Sequence, residues 1–261
     1  MTPAIEFSNV EKRFAARGKS AEVLAVRAVT CSVAPGEVVS IIGPSGCGKS
    51  TLLNMGAGLS PPTSGAVQVN GHLVDKPNRH VAFMLQKDLL MPWRTISQNI
   101  ELGLEIRGVP FAKRKPVSDT LIAQCHLTGF GAHYPNQLSS GMRQRAAMAR
   151  TLAVDPDVLL MDEPFSALDA QTKMILQQDL ARTVSAHKKT VLFITHDLVE
   201  AVALSDRILV MSERPGTFIE NITVDIPDRA NPMQRRKHPE VGAYVGRLMD
   251  LLKLDANTEV H

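Results

Sequence analysis

A glycine-rich stretch of the sequence has the composition and spacing of a phosphate-binding loop. GPSGCGKST, residues 43–51, fits the pattern G-x-x-x-x-G-K-[ST] between a strand-like and a helix-like segment. Glycines let the backbone wrap tightly and turn its N–H groups toward phosphate oxygens. Lys49 supplies a positive charge for the terminal phosphates, and Ser50 supplies a hydroxyl for Mg²⁺. The predicted nucleotide-binding residues of this loop are Gly43, Pro44, Ser45, Gly46, Cys47, Gly48, Lys49, Ser50 and Thr51.

Two acidic residues follow a continuous apolar run in VLLMDEP, residues 158–164. In an open α/β sheet, ligands bind at the carboxyl ends of the strands. We therefore predict that Asp162 holds Mg²⁺, in part through water, and that Glu163 is the general base for an attacking water. The alternative is a surface turn before Pro164. Four apolar residues ahead of the acids favour the edge of a sheet instead.

Two further polar residues close predicted strands. His196 follows the strand in TVLFITHD, and Gln86 ends HVAFMLQ. We expect His196 to contact the γ-phosphate, although a lone histidine is often structural. Gln86 is a weaker candidate that we expect to reach both Mg²⁺ and the attacking water. The predicted catalytic residues are thus Glu163, His196 and Gln86, and the predicted Mg²⁺ ligands are Ser50, Gln86 and Asp162.

Composition limits the classes of function. The 261 residues are 44% hydrophobic and carry a formal charge of +3, too little for a nucleic-acid-binding face. No apolar run reaches the ~18–20 residues of a membrane span, and the N-terminus lacks the apolar stretch of a signal peptide. The three cysteines are too few for a disulfide framework. We expect a chain in a reducing compartment that reaches a membrane only through a partner.

The pattern of elements predicts an α/β fold. Apolar strands such as EVVSIIG, VLLMDEP and TVLFITHD alternate with helical segments, which favours a parallel sheet. The N-terminal stretch alternates apolar and polar residues, residues of about 95–155 have a helical pattern, and a C-terminal helical extension covers about 238–254. ARGKSAE, residues 16–22, is expected to be a loop. The basic segment 228–238 is expected to be a solvated loop, with a lipid or partner patch as the alternative.

These motifs, in this order, resemble the ATPase subunits of ATP-binding cassette (ABC) transporters. The resemblance rests on GPSGCGKST, Gln86, LSSGMRQR, VLLMDEP, SALD and His196, and it covers nearly the whole chain. It implies one ABC ATPase domain over residues 1–261. The implied fold is a P-loop NTPase core with a parallel sheet, an N-terminal antiparallel β subdomain and a helical signature subdomain. It also implies ATP and Mg²⁺ as cofactors, with Phe14 stacked on the adenine.

The segment LSSGMRQR matches the signature turn of this family. The resemblance implies a head-to-tail homodimer in which each signature turn contacts the ATP of the partner, through Ser139, Ser140, Gly141 and Met142. Asp169 of SALD matches the D-loop. The family usually has glycine where this chain has Ser140. We expect the Cβ of Ser140 to disfavour a positive φ, and Gly141 to take the more demanding backbone angles.

Three features are similar to one branch of importers, those for nitrate, sulfonates, taurine and pyrimidine precursors. They are Met142, MPWRT at residues 91–95, and VMSERPGTFIENITVDIP at residues 210–227. This likeness implies two membrane permease subunits, an external solute-binding protein and a peripheral position on the cytoplasmic face of the inner membrane. Trp93 and its neighbours are expected to line a groove for the permease, with burial of Trp93 in the core as the alternative.

Two other classes of function compete with this interpretation. A soluble cassette ATPase acting on ribosomes or DNA usually has two cassettes or a long coiled coil. This chain has one GKS, and residues 52–137 contain no heptads. A non-catalytic binding module would lack a key lysine or acidic residue, whereas Lys49, Asp162 and Glu163 are all present.

Overall fold

A computed structural model describes residues 2–15 and 22–253 and contains two sheets. The first is antiparallel, in the order β2-β1-β4-β5. The second has the order β10-β9-β3-β8-β7-β6; its neighbours are parallel, except that β10 pairs antiparallel with β9 at one edge. The strands are β1 Ile5–Phe14, β2 Val23–Val33, β3 Val38–Ile42, β4 Ser64–Val69, β5 His72–Leu73, β6 Val81–Met84, β7 Val158–Asp162, β8 Thr190–Ile194, β9 Arg207–Met211 and β10 Phe218–Thr223.

Strands β3, β7 and β8 are buried along their whole length, because the sheet is covered on both faces. The continuous apolar runs predicted this, and the α/β fold with a parallel core sheet and a separate antiparallel sheet is confirmed. The predicted loop at residues 16–22 lies almost entirely outside the described residues.

The helices pack on the parallel sheet and between the two sheets. They are α1 Lys49–Gly56, α2 Ile96–Ile106, α3 Phe111–Gln124, α4 Ser140–Ala153, α5 Ala170–Ala186, α6 Leu198–Leu204, α7 Pro232–Arg235 and α8 Val241–Leu251. Helix α2 begins with a capping box between Thr95 and Gln98. Helices α2 to α4 lie in the stretch predicted to be helical. Within residues 2–15 and 22–253, no helix is long and apolar enough to span a membrane.

The core has three parts, one of which fixes helix α1. The side chains between the two sheets form one cluster that includes Leu52 and Leu53 of α1. At Gly56 an added Cβ would lie 3.1 Å from Ile5 and Phe7, so α1 is packed tightly against the antiparallel sheet. A second cluster joins α2 to α5 with the parallel sheet, and a third lies under α6 and α8. The loop ahead of α1 is therefore held between rigid elements.

The basic segment 228–238 is not the solvated loop that the sequence predicted. Arg235 is 2% exposed and donates from Nη1 to the carbonyl of Ser205, at 2.9 Å. Arg229 forms an ion pair with Asp206 at 3.1 Å. The expectation was wrong because charge pattern alone does not reveal which cations find carbonyl and carboxylate partners. The hydrogen bond from Arg235 holds α7, which lies within this segment, against the residues that follow α6. Helix α8, within the predicted C-terminal extension, then covers α6.

Candidate nucleotide-binding site

The glycine-rich loop joins β3 to α1 and borders a cleft of about 500 Å³. Gly48 caps α1 with φ +117°, a conformation that favours glycine, and a Cβ there would lie 2.8 Å from the carbonyl oxygen of Ala25. The free N–H groups at the start of α1 favour an anion. The cleft is lined by Phe14, Val23, Ala25, Ser45, Gly46, Gly48, Lys49, Ser50, Thr51, Gln86, Glu163, Ile194 and Arg214.

Lys49 holds the loop in its curled shape. Its Nζ donates to the carbonyl oxygens of Gly43, at 2.7 Å, and Pro44, at 2.8 Å. Of the predicted loop residues, Gly43, Pro44 and Cys47 do not line the cleft, and Cys47 is buried. The amine, the loop N–H groups and the helix start form a donor set that fits a polyphosphate.

Asp162 and Ser50 place a carboxylate and a hydroxyl oxygen together near Lys49. Burial raises the pKa of Asp162 above its ordinary value, while a hydrogen bond with Ser50 and the charge of Lys49 act in the opposite direction. In the described part of the chain, no cluster of three or more His, Cys, Asp or Glu side chains forms a complete metal cage. One carboxylate and one hydroxyl, completed by phosphate oxygens and water, fit Mg²⁺ well.

The three predicted catalytic side chains lie together. Glu163 Oε2 accepts a hydrogen bond from Gln86 Nε2 at 3.0 Å and lies 3.4 Å from His196 Nδ1. Glu163 has φ +48°, which is uncommon outside glycine and marks stored backbone strain. Strands β6, β7 and β8 are neighbours, so their carboxyl ends bring these residues together. The arrangement can hold and orient a water molecule at the carboxylate.

Phe14 lines the cleft, and its 46% exposure shows that it is not part of the core. Sequence reasoning missed four other lining residues, Val23, Ala25, Ile194 and Arg214. The three apolar ones carry no signal beyond their strands. Arg214 lies beside Pro215 and Gly216 in the segment 210–227, whose sequence resembles a family branch but carries no signal for a position at the cleft.

The signature residues begin helix α4 and are absent from the lining of the cleft. Ser139 is the N-cap, and its Oγ accepts a hydrogen bond from the backbone N–H of Met142 at 3.2 Å. Ser140 and Gly141 lie inside the helix and neither has a positive φ, so the expected backbone strain there was wrong. Asp169 similarly caps α5. Contact between these residues and a nucleotide bound to another chain therefore stays a prediction.

Comparison with known proteins decides the family. The family model described as ABC transporter matches residues 26–166, a span that contains the glycine-rich loop, the signature and the acidic pair.

The chain belongs to the ABC transporter family. A solved dimer of the ATP-binding cassette MJ0796, in a post-hydrolysis state bound to ADP and Pi, matches with a TM-score of 0.77 and 31% identity over 84% of this chain and 98% of that one. The fold is therefore that of an ABC cassette, and the chain is an ABC ATPase.

Three curated relatives cover most of this ABC protein. The nitrate import ATP-binding protein NrtD of Synechocystis sp. is 39% identical, over 95% of each chain. The aliphatic sulfonates import ATP-binding protein SsuB 2 of Burkholderia cenocepacia is 42% identical, over 85% of this chain and 79% of the relative. An uncharacterised ABC transporter ATP-binding protein of Methanocaldococcus jannaschii is 44% identical, over 87% of this chain and 84% of the relative.

Proposed function

We propose that this ABC ATPase powers an importer by hydrolysing ATP in the cleft beside its glycine-rich loop. The observation that carries the proposal is the meeting of Gln86 and His196 on one oxygen of Glu163, at the cleft that contains Lys49. An acceptor carboxylate held this way is suited to take the proton of an attacking water. General base catalysis of this kind contributes ~10²–10⁴-fold to a rate.

Each group of site residues has a separate role in the proposal, including Asp162 and His196, which do not line the cleft themselves. Phe14 stacks on the adenine, and the loop N–H groups with Lys49 hold the phosphates. Ser50 and Asp162 hold Mg²⁺, with Gln86 near it. When bound, Mg²⁺ neutralises part of the negative charge of the phosphates. Glu163 takes the proton, while Gln86 and His196 orient the carboxylate and the water.

The active form in this proposal is a homodimer. Ser139, Ser140, Gly141 and Met142 at the start of α4 contact the γ-phosphate in the partner's cleft, and Asp169 lies near the same interface. The N-terminus of α4 favours a negative charge at this place. The solved dimer of a similar cassette supports this arrangement. Because only ATP carries the γ-phosphate, hydrolysis loosens the dimer.

The importer assignment extends to membrane partners. We place the chain on the cytoplasmic face of the inner membrane, against two permease subunits that receive solute from an external solute-binding protein. The solute class is a small anion such as nitrate, a sulfonate or taurine, or a pyrimidine precursor. The printed functions of two relatives, nitrate and sulfonate import, support the anion. One domain over residues 1–261, with a helical subdomain at about 95–155, completes the proposal.

The test uses Glu163→Gln and Lys49→Ala in the full chain. We expect Glu163→Gln to lose turnover by ~10²-fold or more and to form an ATP-dependent dimer on size-exclusion chromatography. Lys49→Ala loses nucleotide affinity and stays a monomer. Near-normal turnover of Glu163→Gln overturns the catalytic assignment. Absence of turnover in the unchanged protein favours a binding module. Co-purification with ribosomes rather than a membrane protein contradicts the importer.

A further inference from the structure

The guanidinium group of Arg214 hydrogen-bonds to a different part of the glycine-rich loop from Lys49. Its Nε and Nη2 donate to the carbonyl oxygen of Gly46 at 3.0 and 2.7 Å. Arg214 is exposed and lines the nucleotide cleft. Across the described ranges 2–15 and 22–253, no carboxylate lies within ion-pair distance of it. The carbonyl is its hydrogen-bond partner in this structure.

The backbone beside Arg214 is fixed, so the contact is not that of a loose surface side chain. Gly216 donates its N–H to the carbonyl of Ala25 at 3.0 Å and accepts from the N–H of Arg27 at 2.9 Å. At Gly216 an added Cβ would collide with the carbonyl oxygen of Cys47. The turn between β9 and β10 is thus clamped between strand β2 and the glycine-rich loop. This turn lies outside the residues that the family model matches.

The hydrogen bonds from Arg214 fix the orientation of the peptide group between Gly46 and Cys47. In a planar trans peptide the C=O and the following N–H point in opposite directions. The Gly46 oxygen accepts from Arg214, and the N–H of Cys47 points the other way, to the carbonyl oxygen of Pro44 at 3.4 Å. The bond from Cys47 to Pro44 is long and weak. A phosphate oxygen is a stronger acceptor for the same N–H group.

We propose that Arg214 is a positioning residue for nucleotide binding: its grip on Gly46 pre-orients the loop N–H groups toward the phosphates. The inference rests on the proposed function of the cleft. Lys49 must turn toward the phosphates when nucleotide enters and weaken its bonds to Gly43 and Pro44. Arg214 then keeps the Gly46 peptide in place. Its effect falls on affinity for any nucleotide that fills the loop and not on the chemical step.

The test compares Arg214→Ala and Arg214→Lys with the unchanged protein. Steady-state ATPase assays give kcat and KM, and isothermal titration gives the Kd of ADP. Arg214→Ala is expected to raise the KM of ATP and the Kd of ADP by about tenfold, or about 1.4 kcal/mol, with kcat within about twofold. Arg214→Lys keeps a cationic donor but loses the planar pair of Nε and Nη2, so its affinity is expected to lie between those of Arg214→Ala and the unchanged protein. Arg107 also donates to two backbone carbonyls, away from the cleft, so Arg107→Ala is the matched control.

Three outcomes overturn the proposal. They are an unchanged affinity, a lower kcat at unchanged KM, or a loss of ATP affinity without loss of ADP affinity, which would place Arg214 on the γ-phosphate. If Arg214→Ala does not fold, Arg214→Gln decides, because it retains a neutral donor; an intermediate affinity supports the proposal and an unchanged one overturns it. If the unchanged protein binds no nucleotide, the proposed function fails instead.

Discussion

Glu163 combines strain with a dense set of contacts. Its backbone N–H donates to the carbonyl of Ile194 at 3.1 Å, and its own carbonyl accepts from Ser166 Oγ at 3.0 Å. These bonds hold the residue at a positive φ, which non-glycine residues rarely adopt. The side chain is thereby aimed between Gln86 and His196. Strain of this kind at a candidate base is consistent with a preorganised site.

Ser140→Gly is expected to change the ATPase rate by less than about tenfold, or ~1.4 kcal/mol. Ser140 is the first residue of α4 and has an ordinary helical φ, so glycine relieves no strain there. The cap on this helix comes from Ser139 and is retained. Measurement of kcat over a range of ATP concentrations checks the expectation. A larger change would mean that the Ser140 hydroxyl, and not only the backbone at this position, is required at the partner's γ-phosphate.

Gly141→Asp is expected to lower the ATPase rate by ~10²-fold or more, because the carboxylate would face the partner's γ-phosphate. Nucleotide binding by the monomer stays intact, since the glycine-rich loop is unchanged. Gly141→Ala is the matched control: its Cβ would lie 3.4 Å from Leu168 Cδ2, an acceptable contact. Steady-state turnover and nucleotide titration separate the two effects. Normal hydrolysis by Gly141→Asp would remove the signature turn from the shared site.

At the scale of elements, a polar network joins α5, α6 and α7. Lys173 Nζ lies 2.8 Å from Asp197 and 2.7 Å from Glu200, and Gln177 donates to Glu200 at 2.8 Å. Arg236 of the basic segment donates to Gln177 at 2.6 Å. Asp197 follows His196 and caps α6. The network therefore connects Asp197 to helix α5. Asp197 follows His196, the candidate γ-phosphate contact, and α5 follows SALD.

Lys173→Met is expected to destabilise the protein by about 3 kcal/mol at pH 7, because it leaves Glu200 buried without its cation. Burial raises the pKa of Glu200 already, although Lys173 acts to lower it. Without Lys173 the folded-state pKa of Glu200 rises further above its unfolded value. Protonation then removes the buried charge, so the deficit relative to the unchanged protein shrinks as pH falls.

Urea denaturation at pH 7 and pH 5 measures this effect, with the double variant Lys173→Met, Glu200→Gln as control. The double variant removes both charges and is expected to be more stable than Lys173→Met alone. A deficit that grows as pH falls would show that another group dominates the network.

The strands that are buried along their whole length could be predicted from the sequence. Strands β3, β7 and β8 are continuous apolar runs, and Glu163 and His196 follow β7 and β8, so these strands and both site residues could be inferred. Gln86 follows β6, which is only partly buried, and its signal is correspondingly weaker. We did not identify β10, because FIENIT mixes exposed and buried residues at a sheet edge. The burial of Arg235 and the grip of Arg214 depend on backbone carbonyls supplied by distant segments. No local pattern encodes such partners.

At the scale of the whole molecule, residues 93–111, around helix α2, include three exposed large apolar side chains. Trp93 is 72% exposed and Ile106 is 78% exposed, with Phe111 at 60%. Burial of Trp93 in the core, the alternative considered from sequence, is thus wrong. Exposed apolar surface of this kind often marks an interface. It is where we expect the permease to dock.

Trp93→Ala is expected to reduce solute uptake at least tenfold, or ~1.4 kcal/mol, while basal ATPase and thermal stability stay close to normal. An exposed side chain contributes little to folding, so the loss falls on coupling. Uptake into vesicles that contain the membrane subunits measures it. Leu73→Ala, on the antiparallel sheet and 64% exposed in the native chain, is the control. Equal uptake by both variants would exclude Trp93 from the docking surface.

The strand order has a consequence for biosynthesis. Among the strands of residues 2–15 and 22–253, β3, which leads into the glycine-rich loop, pairs with β8 on one side and β9 on the other. A ribosome must add about 150 residues after β3 before β8 is synthesised, which at roughly 5–20 residues per second takes about 8–30 s. During that interval VVSII is an unpaired apolar segment of the nascent chain. Chaperone capture or aggregation is therefore most probable before the last third of the protein has been translated, and substitutions that weaken β8 should lower yield before they alter activity.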